Sequence, residues 1–384
     1  MRQLYLAATG QNRGKTTAAL GLLHGFLGRG LATGFMKPVG QRTVIEDGEP
    51  ADEDAVLMKT VFGLPEPYSV LSPVHIPRGF TKAFIAGDVV EDLGRRIQMA
   101  HASFADHDVV LVEGTGHAGV GAVIRLSNAA VARMLGAPAV IVSEGGVGRP
   151  IDEIVLNASH FAAHGVTVAG AIVNKVDLDA QPGLPDILER GLANHGIPLL
   201  GVLPYRPILS NPTLGMVLES VGGETLHEGP DLDRVIDDVA IGAMEPHHML
   251  ERVGPGTLVI VPGDREDVIL TLTTAHLVGR PRGATTAELL GADARSERDD
   301  RASLGLVLTG GYRPREAVIA AIRQADLFAA LVEDDTYRVA SEVHDLLVKT
   351  HAADVEKVDL IKALVTEFLD VDRLLAVAEE AQPA

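Results

Sequence analysis

Cysteine is absent from the 384 residues. Disulfides, thiol catalysis and cysteine-held zinc or iron–sulfur centres are thereby excluded. Aromatic residues are scarce, at 4% with no tryptophan, while 46% of the chain is apolar. The core must therefore be built from Ala, Val, Leu and Ile. That suits parallel sheets covered by helices, whose strands read as unbroken aliphatic runs. A basic patch is missing as well: the formal charge is −19 and the arginines are scattered. A nucleic-acid partner, which needs clustered cations to displace phosphate counterions, is not expected, and the acidic surface serves solubility. No apolar run approaches the ~20 residues that a membrane-spanning helix needs. The apolar stretch at 4–8 is too short for a signal-peptide core. The chain is read as soluble and cytoplasmic, with no membrane partner.

What the sequence does contain is alternation. Strand candidates lie at 4–8, 33–39, 108–112, 139–143, 168–173 and 199–203, each short, aliphatic and bounded by Gly, Pro or Asp. Segments of helical period separate several of them, as at 16–27, with Leu20, Leu23 and Leu27 on one side. This order predicts an α/β fold, a mostly parallel sheet with helices on both faces. A second, smaller α/β unit is expected from Asn211-Pro212 onward. Its strands are at 257–261, 305–308 and 327–331, followed by helices at 265–278, 314–324 and 336–348. The polar stretch 279–301 reads as an exposed excursion. In the tail, 354–380, Val355, Val358, Ile361, Leu364, Val365 and Phe368 recur at helical spacing. The expected division is 1–210, 211–335 and 336–384. The last is a helical segment packed on the second domain, with a dimer helix as the alternative.

The run Thr9-Gly10-Gln11-Asn12-Arg13-Gly14-Lys15-Thr16-Thr17 follows the first strand candidate and opens the first helix candidate. This is the layout of a P-loop. Inward-facing backbone N–H groups and the positive end of the helix dipole hold phosphate oxygens there. Residues Gly10, Gln11, Asn12, Arg13, Gly14, Lys15, Thr16 and Thr17 form the expected cradle. Lys15 would reach the β- and γ-phosphates, and the Thr16 hydroxyl would sit on Mg²⁺. The strict G-x-x-x-x-G-K-[ST] pattern places a glycine where Thr9 stands, so the path of the loop is open. The competing reading is a chance Gly-Lys-Thr on a structural turn.

Four further residues belong with the loop. Glu113 ends the aliphatic strand and precedes Gly114-Thr115-Gly116, the position where open α/β sheets bind ligands. It could hold Mg²⁺ directly or through water. Asp54, in Ala51-Asp52-Glu53-Asp54-Ala55, is either a metal ligand or a charge at a helix N-terminus. Lys37 is held near a strand end by the extended exit at Pro38. There it pairs with a phosphate or carboxylate, or is merely solvated. Asn174-Lys175-Val176-Asp177 is similar to the N-K-x-D base-recognition motif of P-loop GTPases. An asparagine amide both donates to and accepts from a purine edge, though such residues also suit loops.

Together these residues resemble the dethiobiotin synthetase family over about residues 1–210. The resemblance implies that Lys15 and Lys37 bind ATP phosphate and substrate as the catalytic lysines. It also implies that Thr16, Asp54 and Glu113 hold Mg²⁺ and that Asn174 contacts the adenine. ATP and Mg²⁺ are the implied cofactors. Cobyrinic acid a,c-diamide synthases share this fold family. Further on, the run from Val261 through Gly263-Asp264-Arg265-Glu266-Asp267, the run Leu308-Thr309-Gly310-Gly311 and the region 238–244 resemble the DRTGG domain. The two domains in this order resemble the N-terminal, non-catalytic part of long bacterial phosphate acetyltransferases. The likeness stops where their acetyltransferase domain would begin.

Read from the residues, Asp264 and Thr309 each end a strand and precede a helix. Asp264 and Asp267 could cap the helix at Arg265, and Gly310-Gly311 permits positive φ or close ligand approach. These loops either bind an anion or nucleotide or serve capping and turn chemistry alone. His247-His248 suggests a metal, but no third ligand stands at useful spacing. The expectation is a free-standing regulatory or sensory module. It binds an adenine nucleotide and an unknown small-molecule effector, and it is a homo-oligomer because both resembled families favour dimers. The alternative is an ATP-dependent ligase of dethiobiotin synthetase or cobyrinic acid a,c-diamide synthase type. Slow, substrate-independent ATP hydrolysis would favour the regulatory module over the ligase, and phosphate acetyltransferase activity is not expected.

Overall fold

The computed structural model describes residues 1–229, 231–278, 305–346 and 348–380. The charge-rich stretch 279–301 lies outside the described residues. The chain forms two units. One comprises Met1–Arg206 together with the chain from Thr350 onward, and the other is Pro207–Lys349. Among the described residues no helix is long and apolar enough to cross a membrane.

The first unit is built on a six-stranded sheet of β1 (Arg2–Ala8), β2 (Thr33–Met36), β3 (Val109–Glu113), β4 (Ala139–Glu144), β5 (Val168–Val176) and β6 (Leu199–Pro204), in the order β6-β5-β4-β1-β3-β2. Every neighbouring pair is parallel, with Leu6 opposite Glu113 and Ala8 opposite Val142. All six expected strands form. The aliphatic runs 109–113 and 139–143 are buried along their whole length, as a sheet covered on both faces requires. The candidate at 33–39 breaks after Met36, because Pro38 has no N–H to continue a ladder. The chain places β2 and β3 on one side of β1 and then β4, β5 and β6 on the other, so the carboxyl end of β1 is a topological switch point. From it the chain enters helix α1 (Lys15–Leu27). Helix α2 (Glu53–Phe62) carries Asp54 in its first turn.

The tail corrects the expected division. The stretch 354–380 forms two helices, α3 (Val355–Phe368) and α4 (Val371–Glu380), and both pack on the first unit rather than the second. The physical reason lies in α1, which is buried at Ala18, Ala19, Leu20, Leu22, Leu23 and Phe26. A helix apolar over so much of its surface needs a second cover besides the sheet. Gly21 and Gly25 leave a groove for that cover, filled by Val365 and Val371. Between the helices Leu369 is extended and bridges Gly201 of β6 antiparallel. The helix Thr336–His344, the start of the segment expected at 336–384, does pack on the second unit, burying Val339 and Val343 there.

The second unit holds a five-stranded sheet of β7 (Glu224–His227), β8 (Asp238–Ile241), β9 (Thr257–Pro262), β10 (Gly305–Thr309) and β11 (Phe328–Leu331), in the order β7-β11-β10-β9-β8. Only β7 is antiparallel to its neighbour. The central strands are the three aliphatic runs of the sequence. The edge strands β7 and β8 are short and mostly exposed, so they lack the run that would announce them. Apolar side chains cover both faces, one around Val259, Leu272 and Ile322, the other around Ile260, Val307 and Val343.

Candidate functional site

The loop after β1 is held from several sides. Thr9, which stands where a strict P-loop has glycine, continues the strand pairing by donating its N–H to Val142 O at 3.0 Å. Its hydroxyl lies 3.2 Å from that of Ser143, so a side chain is accommodated there. Gly14 is required twice. Its φ of 93° is left-handed, and a Cβ would lie 1.8 Å from Asn174 Nδ2. That amide donates to Arg13 O at 3.2 Å, tying the loop to the end of β5. Arg13 pairs with Glu144 and lies over Gly10. Lys175 donates to Asn12 O at 3.0 Å and to Glu144 at 2.9 Å. Gln11 and Asn12 are exposed.

Beneath the loop the structure brings together Lys15, Thr16, Lys37, Asp54 and Glu113. Lys37 Nζ donates to Asp54 Oδ2 at 2.6 Å, Glu113 Oε1 at 2.9 Å and Gly114 O at 3.3 Å. The Thr16 hydroxyl reaches Glu113 Oε1 at 3.1 Å and Asp54 Oδ1 at 3.3 Å. Burial works against the Lys37 ammonium, but Asp54, Glu113 and Asp52 outweigh it and hold its pKa above the ordinary value. Burial likewise opposes the Asp54 carboxylate, and Lys37, Lys15 and Thr16 hold its pKa down. Two groups are left unsatisfied. The Lys15 side chain is largely buried, with no hydrogen-bond or ion-pair partner for its ammonium among the described residues. Burial, with Lys37 adding repulsion, lowers its pKa to about 8. Glu113 is fully buried and its Oε2 has no hydrogen-bond partner. Burial pushes its pKa up to about 7. Thr16, Asp54 and the orphaned Glu113 oxygen form a hard-oxygen donor set that fits Mg²⁺.

Several residues at the site escaped the sequence reading. Asp52 is the N-cap of α2, accepting from Asp54 N at 3.1 Å and from Gln41 N at 3.1 Å. The same acidic run that drew attention to Asp54 carried its capping signal. Glu144 ends a strand before Gly145-Gly146, the signal that singled out Glu113. Asn128 has no such signal. It accepts from Tyr5 OH at 2.8 Å and from Thr115 N at 3.0 Å, and donates to Thr115 O at 2.8 Å and His117 O at 2.6 Å. The backbone after Glu113 is thereby fixed.

In the second unit the strand-end loops satisfy one another. Arg265 grips Asp267 at 2.9 and 3.1 Å and donates to Met244 O at 3.0 Å. The Asp267 carboxylate is thus engaged by the Arg265 guanidinium. Arg315 pairs with Glu266 at 2.6 Å, and Arg313 with Glu224 at 2.7 Å. Thr309 and Thr336 hydroxyls meet at 2.7 Å. Gly310 and Gly311 both have positive φ. His247 and His248 do find a third group, Glu245, whose carboxylate lies with both imidazoles within 4.8 Å, all three exposed.

Residues 2–213 match the AAA domain. The chain belongs to the AAA domain family. Residues 216–346, after the AAA domain, match the DRTGG domain, nearly the extent of the second unit. Among curated proteins, the phosphate acetyltransferase of Pseudomonas putida is 28% identical over 391 residues, covering 96% of this chain and 51% of that protein. That of Nitrosomonas europaea is 24% identical, covering 100% of this chain and 52% of that protein. The chain spans about half the length of these relatives. Among solved structures, the septum site-determining protein MinD with Mg-ADP from Pyrococcus horikoshii gives a TM-score of 0.36 at 15% identity, covering 54% of this chain and 83% of that one. The CBS and DRTGG domains of the regulatory region of Clostridium perfringens pyrophosphatase, complexed with the activator diadenosine tetraphosphate, give 0.25 at 13% identity, covering 46% and 81%.

Proposed function

We propose that the chain is an ATP- and Mg²⁺-binding regulatory or sensory module, related to the N-terminal regions of long phosphate acetyltransferases. One observation carries the reading: beside the loop, the largely buried Lys15 side chain has no hydrogen-bond or ion-pair partner among the described residues, and Glu113 Oε2 is buried without a hydrogen-bond partner. Unsatisfied buried charge is costly and persists where a ligand supplies the missing partner. In this reading the amides from Gly10 to Lys15 hold the polyphosphate and Lys15 reaches across to its oxygens. Thr16, Asp54 and Glu113 hold Mg²⁺, which when bound offsets phosphate charge. Asn174 has its Nδ2 committed to Arg13 O, so its carbonyl oxygen remains to accept from an adenine amino group. The protein works in the cytoplasm as a homo-oligomer, an assembly read from the resembled families, and its DRTGG unit takes a small-molecule effector. Calorimetric titration of the full chain with ATP, with and without Mg²⁺, tests this. Binding tightened by Mg²⁺ is expected, and no binding under either condition overturns it.

A second reading, an ATP-dependent ligase of dethiobiotin synthetase type, draws support from the fixed backbone at Gly114–His117. That backbone forms a rigid wall beside Lys37 and Glu113, suited to a substrate. Incubation with ATP, bicarbonate and diaminopelargonate decides it: formation of ADP and dethiobiotin supports the ligase, and neither product removes it.

A further inference from the structure

We infer that the carboxyl-terminal helices α3 and α4 position the phosphate loop, with Val365 as the seat, so that nucleotide affinity is regulated from the segment following the second unit. The inference rests on the nucleotide-binding reading above.

The loop's geometry depends on where β1 ends and where α1 begins, and the tail packs on both. Three positions spaced four residues apart meet it, two on one face of α1 and one in the turn just past its end. At the first, a Cβ on Gly21 would lie 2.1 Å from Val365 Cγ2 and 2.3 Å from its Cβ. At the second, a Cβ on Gly25 would lie 3.0 Å from Val371 Cγ2. At the third, Arg29 donates to both carboxylate oxygens of Asp372, at 2.7 and 3.0 Å. Helix α4 also lies on β1, and Val365 and Leu374 are fully buried. Glycine weakens a helix interior. Its presence at 21 and 25 is explained by the closeness of the tail. Gly21 stands six residues from Lys15, about 9 Å along a rigid helix, so a shift of α1 at the Val365 seat displaces Lys15 and Thr16 by a similar amount. Displacements of that order strongly affect sites built on aligned hydrogen bonds. Residues 350–354 alone separate the end of the second unit from α3. The chain therefore leaves the nucleotide-binding unit, forms the DRTGG unit and returns directly to the helix behind the loop.

The test is a size swap in the full chain. Gly21→Ala adds one methyl where Val365 sits and is expected to raise the Kd for Mg-ATP about fivefold or more. Gly25→Ala, with its wider gap, has a smaller effect. The double variant Gly21→Ala/Val365→Gly, which removes the Cβ as well as both Cγ atoms that the added methyl would meet, recovers affinity toward that of the parent. Hydrogen exchange over 355–368 is faster in Gly21→Ala, and in the parent it slows when Mg-ATP binds. A Gly21→Ala protein with loosened α3 and parental affinity overturns the inference, as does a double variant without recovery. Should Gly21→Ala not fold, Val365→Ala alone, which only removes atoms, loosens α3 and weakens binding. Unchanged affinity there overturns the inference equally. A parent chain that binds no nucleotide overturns the functional reading itself. A parent that binds, with variants that bind equally well, overturns only the role of the tail.

Discussion

The two units present their parallel strand ends in opposite electrostatic states. In the second unit each arginine at a strand end has found an acid: Arg265 with Asp267, Arg315 with Glu266 and Arg313 with Glu224, all near water. In the first unit the largely buried Lys15 has no hydrogen-bond or ion-pair partner among the described residues, and one oxygen of Glu113 is buried without one. Exposed pairs contribute little and satisfy themselves, whereas buried unmatched charge is a standing cost. The difference teaches where ligand chemistry is held ready. A strand-end loop alone does not mark a site, but unsatisfied charge beneath one does.

The largest expected effect is at Lys15. Lys15→Met keeps the aliphatic stem and removes the charge, and the Kd for Mg-ATP should rise about ten- to a hundredfold by titration calorimetry. Next is Glu113→Gln, which should raise the Kd for Mg-ATP about tenfold and leave magnesium-free ATP binding nearly unchanged. Equal losses in both conditions would remove Glu113 from the metal site. A third effect follows from burial of Lys15, whose pKa is lowered to about 8 in the free protein. Phosphate raises that value on binding, so affinity is full below pH 8 and falls as the pH climbs above it. Magnesium-free ATP affinity that stays flat from pH 7 to 9 would contradict this. The smallest effect is in the second unit. Arg265→Ala should lower stability by less than about 1 kcal/mol by denaturant titration and leave ATP affinity unaltered.

Much of the first unit was legible in the sequence, because its strands are aliphatic runs and its loop has fixed spacing. Glu113 and Lys37 were legible for the same reason: each stands where an aliphatic run stops. The docking of the tail was not. The stripe of Val358, Ile361, Leu364 and Val365 says that one face is buried but not against what. The answer lay more than three hundred residues away, in Gly21 and Gly25, where a helix former would otherwise be expected. Asn128 was hidden likewise, since its partner Tyr5 is 123 residues distant. The edge strands of the second unit were missed because exposure removes the apolar run on which strand reading depends.

The central claim is that the charge beneath the loop is kept unsatisfied for a polyphosphate. Thermal unfolding of the parent and of Lys15→Met, each with and without Mg-ATP, tests it most directly. Without nucleotide the variant should melt higher, because a charge opposed by burial and by Lys37 and held by no hydrogen bond among the described residues is gone. With saturating Mg-ATP the order should reverse, because only the parent gains the full binding energy. A variant that melts no higher alone, or that is stabilised by Mg-ATP as much as the parent, would contradict the account.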